Sequence, residues 1–134
     1  PYPVRGISDG EYRYLRNLLP DELYIEKHLM GLKGNAVLNN PYWSTWVRDS
    51  WENPHTYKLV KRYMRRPAEQ LYHTASDPYE MNNLAKDPSQ AKRLDKLRAE
   101  LDRWMKEQGD PGIPMDTFKT YHAARAGKHL YKAR

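Results

Sequence analysis

Asp87-Pro88, followed by an unbroken run to Gly109, most constrains what this chain can fold into. Asp is a favoured N-cap, and Pro is pre-set for the first helical position. Gln90 stands three residues after the cap, as in a capping box. Leu94, Leu97, Leu101, Trp104 and Met105 then recur at helical spacing, with Lys and Arg on the opposite side, and Gly109 supplies the stop. Such a helix carries one apolar stripe and must lay it on another element. Trp104 is predicted to be buried with that stripe.

The element to cover it is written at the other end of the chain. "VRGISDGEYRYLRNLL" predicts a β-hairpin that turns at Asp9-Gly10, where both turn positions favour positive φ. Beyond the turn, Tyr12, Tyr14 and Arg16 alternate with Arg13, Leu15 and Asn17. Apolar residues on both faces predict a strand covered on both sides. Glu69-Gln70-Leu71-Tyr72-His73 reads as a further short strand with Tyr72 in the core, and Asp77-Pro78 as a turn.

Between hairpin and strand lie helical signals. "PDELYIEKHLMGLKG" predicts a short helix from near Asp21 to a Gly, without a clean stripe. "PYWSTWVRDSW" places Trp43, Trp46, Val47 and Ser50 on one face. In "NPHTYKLVKRYMRRP", Asn53 caps, Pro54 takes the first position, Tyr57, Val60 and Met64 form a stripe, and Pro67 stops it. The expected fold is α+β: a small antiparallel β-sheet of three to four strands with a long C-terminal amphipathic helix packed on it. Its parts are a hairpin over 3–18, helices over about 41–66, a strand over 69–74 and a helix over 88–108. Together these make one unit over 1–111, and 112–134 is a basic extended tail.

Only 39% of the 134 residues are hydrophobic, and a single Phe is set against 11 Tyr and 4 Trp. The core is therefore thin and relies on rings whose polar ends need partners. The first residue is Pro1, not Met, so a piece of a longer polypeptide is expected. The absence of Cys excludes disulfides, a thiolate nucleophile and a Cys-ligated metal. No window approaches 18 consecutive apolar residues, so no membrane helix is expected. His28, His55, His73, His122 and His129 are scattered without metal-ligand spacing, and no Gly-rich run resembles a phosphate loop. The net charge of +6 favours an anionic partner. Basic and aromatic residues interleave in "YRYLR" and "YKLVKRYMRR", which keeps open a free-standing basic module that binds nucleic acid or a sulfated polysaccharide. No known nucleic-acid-binding module matches the pattern, which disfavours nucleic acid.

The stretch "RRPAEQLYHTASDPYEMNNLAKDP", with a helix ending "LDRWMKEQGDP", resembles the C-terminal region of the sulfatase family. There an Arg-Pro, a Glu-Glu-Leu-Tyr-Asp strand, an Asp-Pro-x-Glu turn, an Asn-Leu and the last helix follow in the same order. "YPVRGISDGEYRYLRNL" is similar to the family's Arg-rich hairpin, and the heparan N-sulfatase branch shares its Tyr-Pro-x-Arg entry. The resemblance runs from Tyr2 to about Pro111. This chain departs from the pattern at His73, where the family has Asp, and at Ser8, where it has a second Arg. The first change is expected to cost a carboxylate and a local hydrogen bond.

The resemblance implies the C-terminal subdomain of an alkaline-phosphatase-like sulfatase, expected to be inactive by itself. Its parent would use calcium and a formylglycine made from the Cys or Ser of Cys/Ser-x-Pro-x-Arg, with Lys and His assisting the leaving group. This chain has no such motif: its one Pro-x-Arg, at Pro3-Val4-Arg5, is preceded by Pro1 where the nucleophile would stand. No cofactor or catalytic residue is therefore expected in this chain. The implied partners are an upstream catalytic domain of the same polypeptide and, through it, a sulfated glycan, in the periplasm or outside the cell. Whether O- or N-sulfate is cut stays open. Arg5 is the one candidate for a substrate contact, since a guanidinium suits sulfate or carboxylate; the alternative is that it pairs across the domain interface.

Overall fold

The computed structural model describes residues 3–24 and 41–113 and the single positions 122 and 126. Two compact units are present, one drawn from the segments before Leu19 and after Ala68, the other from Leu19–Ala68 between them. The short helix expected near Asp21–Gly34 lies largely outside the described residues, as does most of the basic tail; Asp21–Tyr24 are not helical.

The first unit is a three-stranded antiparallel sheet in the order β1 (Val4–Ser8), β2 (Tyr12–Asn17), β3 (Glu69–His73), covered on one face by a helix, α3 (Ala91–Glu107). Register pairs Ile7 with Tyr14 and Tyr14 with Leu71, so one cross-strand row lies on the face that takes the helix. Tyr14, Leu71, Leu94, Leu97 and Leu101 form the core, with Ile7, Tyr12, Leu84, Ala85 and Met105 packed around them. The sheet's other face buries Asn17, Gln70 and Tyr72, and the Tyr72 hydroxyl donates to Gln70 Oε1 at 2.6 Å. Both faces are thus covered, as the alternation in β2 predicts.

The hairpin differs from the expected two-residue turn. Ser8 pairs with Arg13, leaving four residues to turn the chain, and of Asp9 and Gly10 only Gly10 has positive φ (95°). Asp9 instead works through its side chain, whose Oδ1 accepts from the amides of Glu11 (3.1 Å) and Tyr12 (2.8 Å). These bonds, Tyr12's first, hold its carboxyl below the ordinary range.

The last helix starts with a 3₁₀ turn, Pro88–Gln90, capped by Asp87 Oδ1 on the Ser89 amide at 2.9 Å. The expected capping box does not close. The Asp87 amide is already bonded to Leu84 O at 3.0 Å, and the Gln90 side chain turns to Ser89 Oγ. At the other end Asp110 N–H bonds Met105 O (2.8 Å) and Gly109 N–H bonds Lys106 O (3.2 Å), a Schellman motif. Its left-handed residue is Gly109, at φ 66°. Trp104 is not in the core: it is 46% exposed. Leu94, Leu97 and Leu101 already cover the sheet, and Trp104 is three residues on from Leu101, at the margin of their stripe.

The second unit pairs α1 (Pro41–Asp49) with α2 (Pro54–Met64). Asn53 caps α2, its Oδ1 accepting from the His55 and Thr56 amides. Trp43 and Val60 are buried, with Val47, Tyr63 and Met64 against them. Trp46 and Tyr57, expected on the inner faces, are half exposed. Tyr24 joins this cluster edge-on to Tyr63 and carries the Arg66 guanidinium 3.7 Å from its ring centroid.

The packing predicts unequal costs on α3. Leu97→Ala is expected to lower stability in urea unfolding by about 2–5 kcal/mol, and Trp104→Ala by well below that range. Comparable losses would place Trp104 in the core.

Candidate functional site

One end of the sheet carries a charged row in place of an apolar one. Arg5 pairs in register with Arg16, and Arg16 with Glu69, on the helix-covered face. The helix and the residues after it answer each charge. The Arg98 guanidinium forks onto Glu69, Nε to Oε1 at 2.6 Å and Nη2 to Oε2 at 2.5 Å. Arg16 Nη1 donates to Asp102 Oδ1 at 2.5 Å, and its Nε to the Tyr14 hydroxyl at 3.2 Å. Tyr14 donates that hydroxyl proton to Glu69 Oε1 at 2.5 Å. Arg98 before all else, and the Tyr14 hydroxyl with it, hold the Glu69 carboxyl at about 2. Burial and the neighbouring carboxylate push the Tyr14 phenol up.

Arg5, the candidate taken from the sequence, closes the row. Its Nε and Nη2 both bond the Asp110 carboxylate, the latter at 3.2 Å, and Nη1 donates to Val4 O at 3.3 Å. The Schellman turn puts Asp110 there, and the Gly112 amide (φ 70°) donates to Asp110 Oδ1 at 3.0 Å. Arg5 holds the Asp110 carboxyl below its ordinary range. The Arg5 side chain is 20% exposed, with its guanidinium lying along the Asp110 carboxylate. Nothing in the sequence linked Arg5 to Asp110, which lies 105 residues away.

The run from 69 to 88 has mechanical roles. β3 is an edge strand, and an edge needs cover. Asn83 supplies it: Oδ1 accepts from the Leu71 amide at 2.9 Å and Nδ2 donates to Glu69 O at 3.1 Å. The Leu84 amide completes the pairing on Leu71 O at 2.8 Å. Asp77 closes its turn by accepting from the Met81 (2.9 Å) and Asn82 (2.7 Å) amides. Glu80, held at φ 55°, accepts from Arg13 Nη1 of β2 at 2.5 Å.

The two departures are absorbed locally. His73 Nδ1 accepts from the Ser76 amide at 3.2 Å and meets Ser76 Oγ at 2.5 Å, while Nε2 faces Glu11 Oε1 at 3.2 Å. A local hydrogen bond is therefore kept, through a ring nitrogen in place of a carboxylate. Ser8 Oγ donates to Tyr12 O (2.9 Å) and accepts from the Gly10 amide (3.2 Å), so it builds the hairpin turn.

Among the described residues no group of three or more His, Cys, Asp or Glu could hold a metal ion. No described helix is long and apolar enough to cross a membrane.

A small antiparallel sheet carrying one long helix, its edge sealed by an Asn-Leu and its turn by an Asp-Pro-x-Glu, is the class of module this chain defines. Its sequence is similar to a small part, the C-terminal region, of known sulfatases. Two ulvan-active sulfatases of Formosa agariphila are 30% and 32% identical to it, over 80% and 88% of the chain. The human N-sulphoglucosamine sulphohydrolase is 28% identical over 84%. The chain spans only 17%, 21% and 21% of those three proteins, respectively. No family model matches it.

The Glu69–Arg98 fork makes stability depend on pH in a defined direction. The folded carboxyl, at about 2, lies below its ordinary value of 4.5. Its contribution is therefore fully present above 4.5 and is lost as pH falls towards about 2. Glu69→Gln is expected to be less stable at neutral pH and to lose less stability over that acid window. An unchanged acid limb in urea midpoints would contradict this.

Proposed function

We propose that this chain is the C-terminal subdomain of a sulfatase that hydrolyses sulfate esters or sulfamates on sulfated glycans. In this reading residues 1–111 pack on an upstream catalytic domain of the same polypeptide and form part of the substrate pocket wall, and 112–134 are an extension. The observation that carries it is the lopsided coverage: the sulfatases above match most of this chain, while it accounts for about a fifth of each (17–21%). Calcium and the formylglycine nucleophile would belong to the upstream domain, because this chain has neither Cys nor a Ser-x-Pro-x-Arg. A periplasmic or extracellular location goes with such a substrate.

Arg5 is the residue this reading gives to the substrate. Two of its nitrogens bond Asp110, which makes Asp110 a positioning carboxylate that fixes the plane of the guanidinium. A planar cation held in this way suits a sulfate or uronate oxygen without further ordering of the side chain.

Two measurements test the proposal. The full polypeptide is expected to turn over 4-nitrophenyl sulfate and the isolated chain to be inert; turnover by the isolated chain would overturn the reading. In the full polypeptide, Arg5→Ala is expected to raise KM for the glycan substrate roughly 10- to 100-fold, the worth of one hydrogen bond to a charged group. Asp110→Asn should shift KM the same way but less. A fall in Tm with KM unchanged would make Arg5 a purely structural residue.

A further inference from the structure

On α2, Lys58 and Lys61 lie on the exposed side, Tyr57 stands at its border with the face that buries Val60, and exposed Arg65 follows at its C-cap. Tyr57 is 52% exposed, with the Lys61 ammonium 5.9 Å from its ring centroid. Lys58, Lys61 and Arg65 have no carboxylate in ion-pair range among the described residues. In the sheet unit Arg5, Arg13, Arg16, Arg93 and Arg98 each bond a carboxylate, while the exposed lysines of α3 are interspersed with Asp95, Glu100 and Asp102. The reason is visible in the sequence, since Pro54 to Ala68 contains five cations and no acid. Like charges gathered on one helical face repel each other, so the face gains from an external polyanion.

The rings narrow the kind of polyanion. Besides Tyr57, this unit exposes Tyr42 (76%), Trp46 (50%) and Trp51 (81%). At Tyr57 an exposed flat ring beside Lys61 offers stacking and charge together. That combination fits a ligand with apolar faces and spaced anionic groups better than it fits an acidic peptide. We propose that the exposed face of α2 binds a sulfated polysaccharide, with Lys58, Lys61 and Arg65 on its sulfates and the Tyr57 ring against a sugar. The choice of sulfated sugar over nucleic acid rests on the sulfatase reading above.

The test uses the full polypeptide, with dextran sulfate, uncharged dextran and duplex DNA as probes in affinity gel electrophoresis. Dextran sulfate is expected to retard the protein and dextran to leave it unmoved. Lys58→Glu with Lys61→Glu should weaken dextran sulfate binding about tenfold or more, the loss of two charge-assisted contacts. Tyr57→Ala should weaken it several-fold. Lys92→Glu with Lys96→Glu, an equal charge change on the exposed side of α3, should alter it by less than about twofold if the effect is local rather than one of net charge.

Equal losses in the two double variants would overturn the proposal. So would duplex DNA binding more tightly than dextran sulfate, or no retardation at all. A Tm drop in the Lys58/Lys61 variant with binding unchanged would mean that the face pairs with carboxylates of the parent protein, and would overturn it too. Turnover of 4-nitrophenyl sulfate by the unmutated protein, measured in the same preparations, reads the sulfatase assignment separately.

Discussion

Burying Tyr14 sets most of the terms of the sheet unit. Its ring is fully buried between β2 and α3, and a buried phenol needs a hydrogen-bond acceptor. Glu69, one strand over, accepts from it and becomes a partly buried carboxylate that needs a cation, which α3 supplies as Arg98. Arg16 donates to the same hydroxyl and is answered by Asp102. Arg5, opposite Arg16, is answered by Asp110. One buried ring thus carries with it a row of charges that orients the helix. Among the described residues no buried side-chain N or O is left without a partner. The thin apolar core is workable on that condition.

The segment between β3 and α3 does for the backbone what that row does for the side chains. Asn83 and Leu84 finish the edge of β3, Asp77 closes the turn, and Glu80 returns to Arg13 on β2. None of these residues presents a nucleophile or a metal cage. Their shared effect is to fix where the last helix starts, and through its Schellman end, where Asp110 meets Arg5.

Legibility in the sequence followed the range of the forces. Caps, Pro stops, the Gly109 terminus and the alternation of β2 act over a few residues, and the structure has them where they are written. Misreadings came where two local signals competed. Gln90 could not close a capping box because Leu84 O had taken the Asp87 amide. Asp9 used its carboxylate in place of a positive φ, which lengthened the turn. Trp104 fits the helical period, yet it is Met105, the next residue, that packs against the leucine core, and Trp104 is left at the margin of the stripe. At His73 the residue type differed from the family's acid, while the local bond survived because a ring nitrogen also accepts.

By itself the sequence determined the three strands, the two capped helices and their order, because helical and strand periodicity and capping chemistry are local. It also determined that this chain carries no Cys and no Cys/Ser-x-Pro-x-Arg, since a motif is present or absent whatever the fold. Only the tertiary structure decided which charges meet a partner within the chain. Arg5 and Asp110, 105 residues apart, become partners when the hairpin and the helix end converge, whereas Lys58, Lys61 and Arg65 stay unpaired on α2 among the described residues. Ion pairing depends on distance in space, and nothing in the linear order of a chain fixes that distance until it folds.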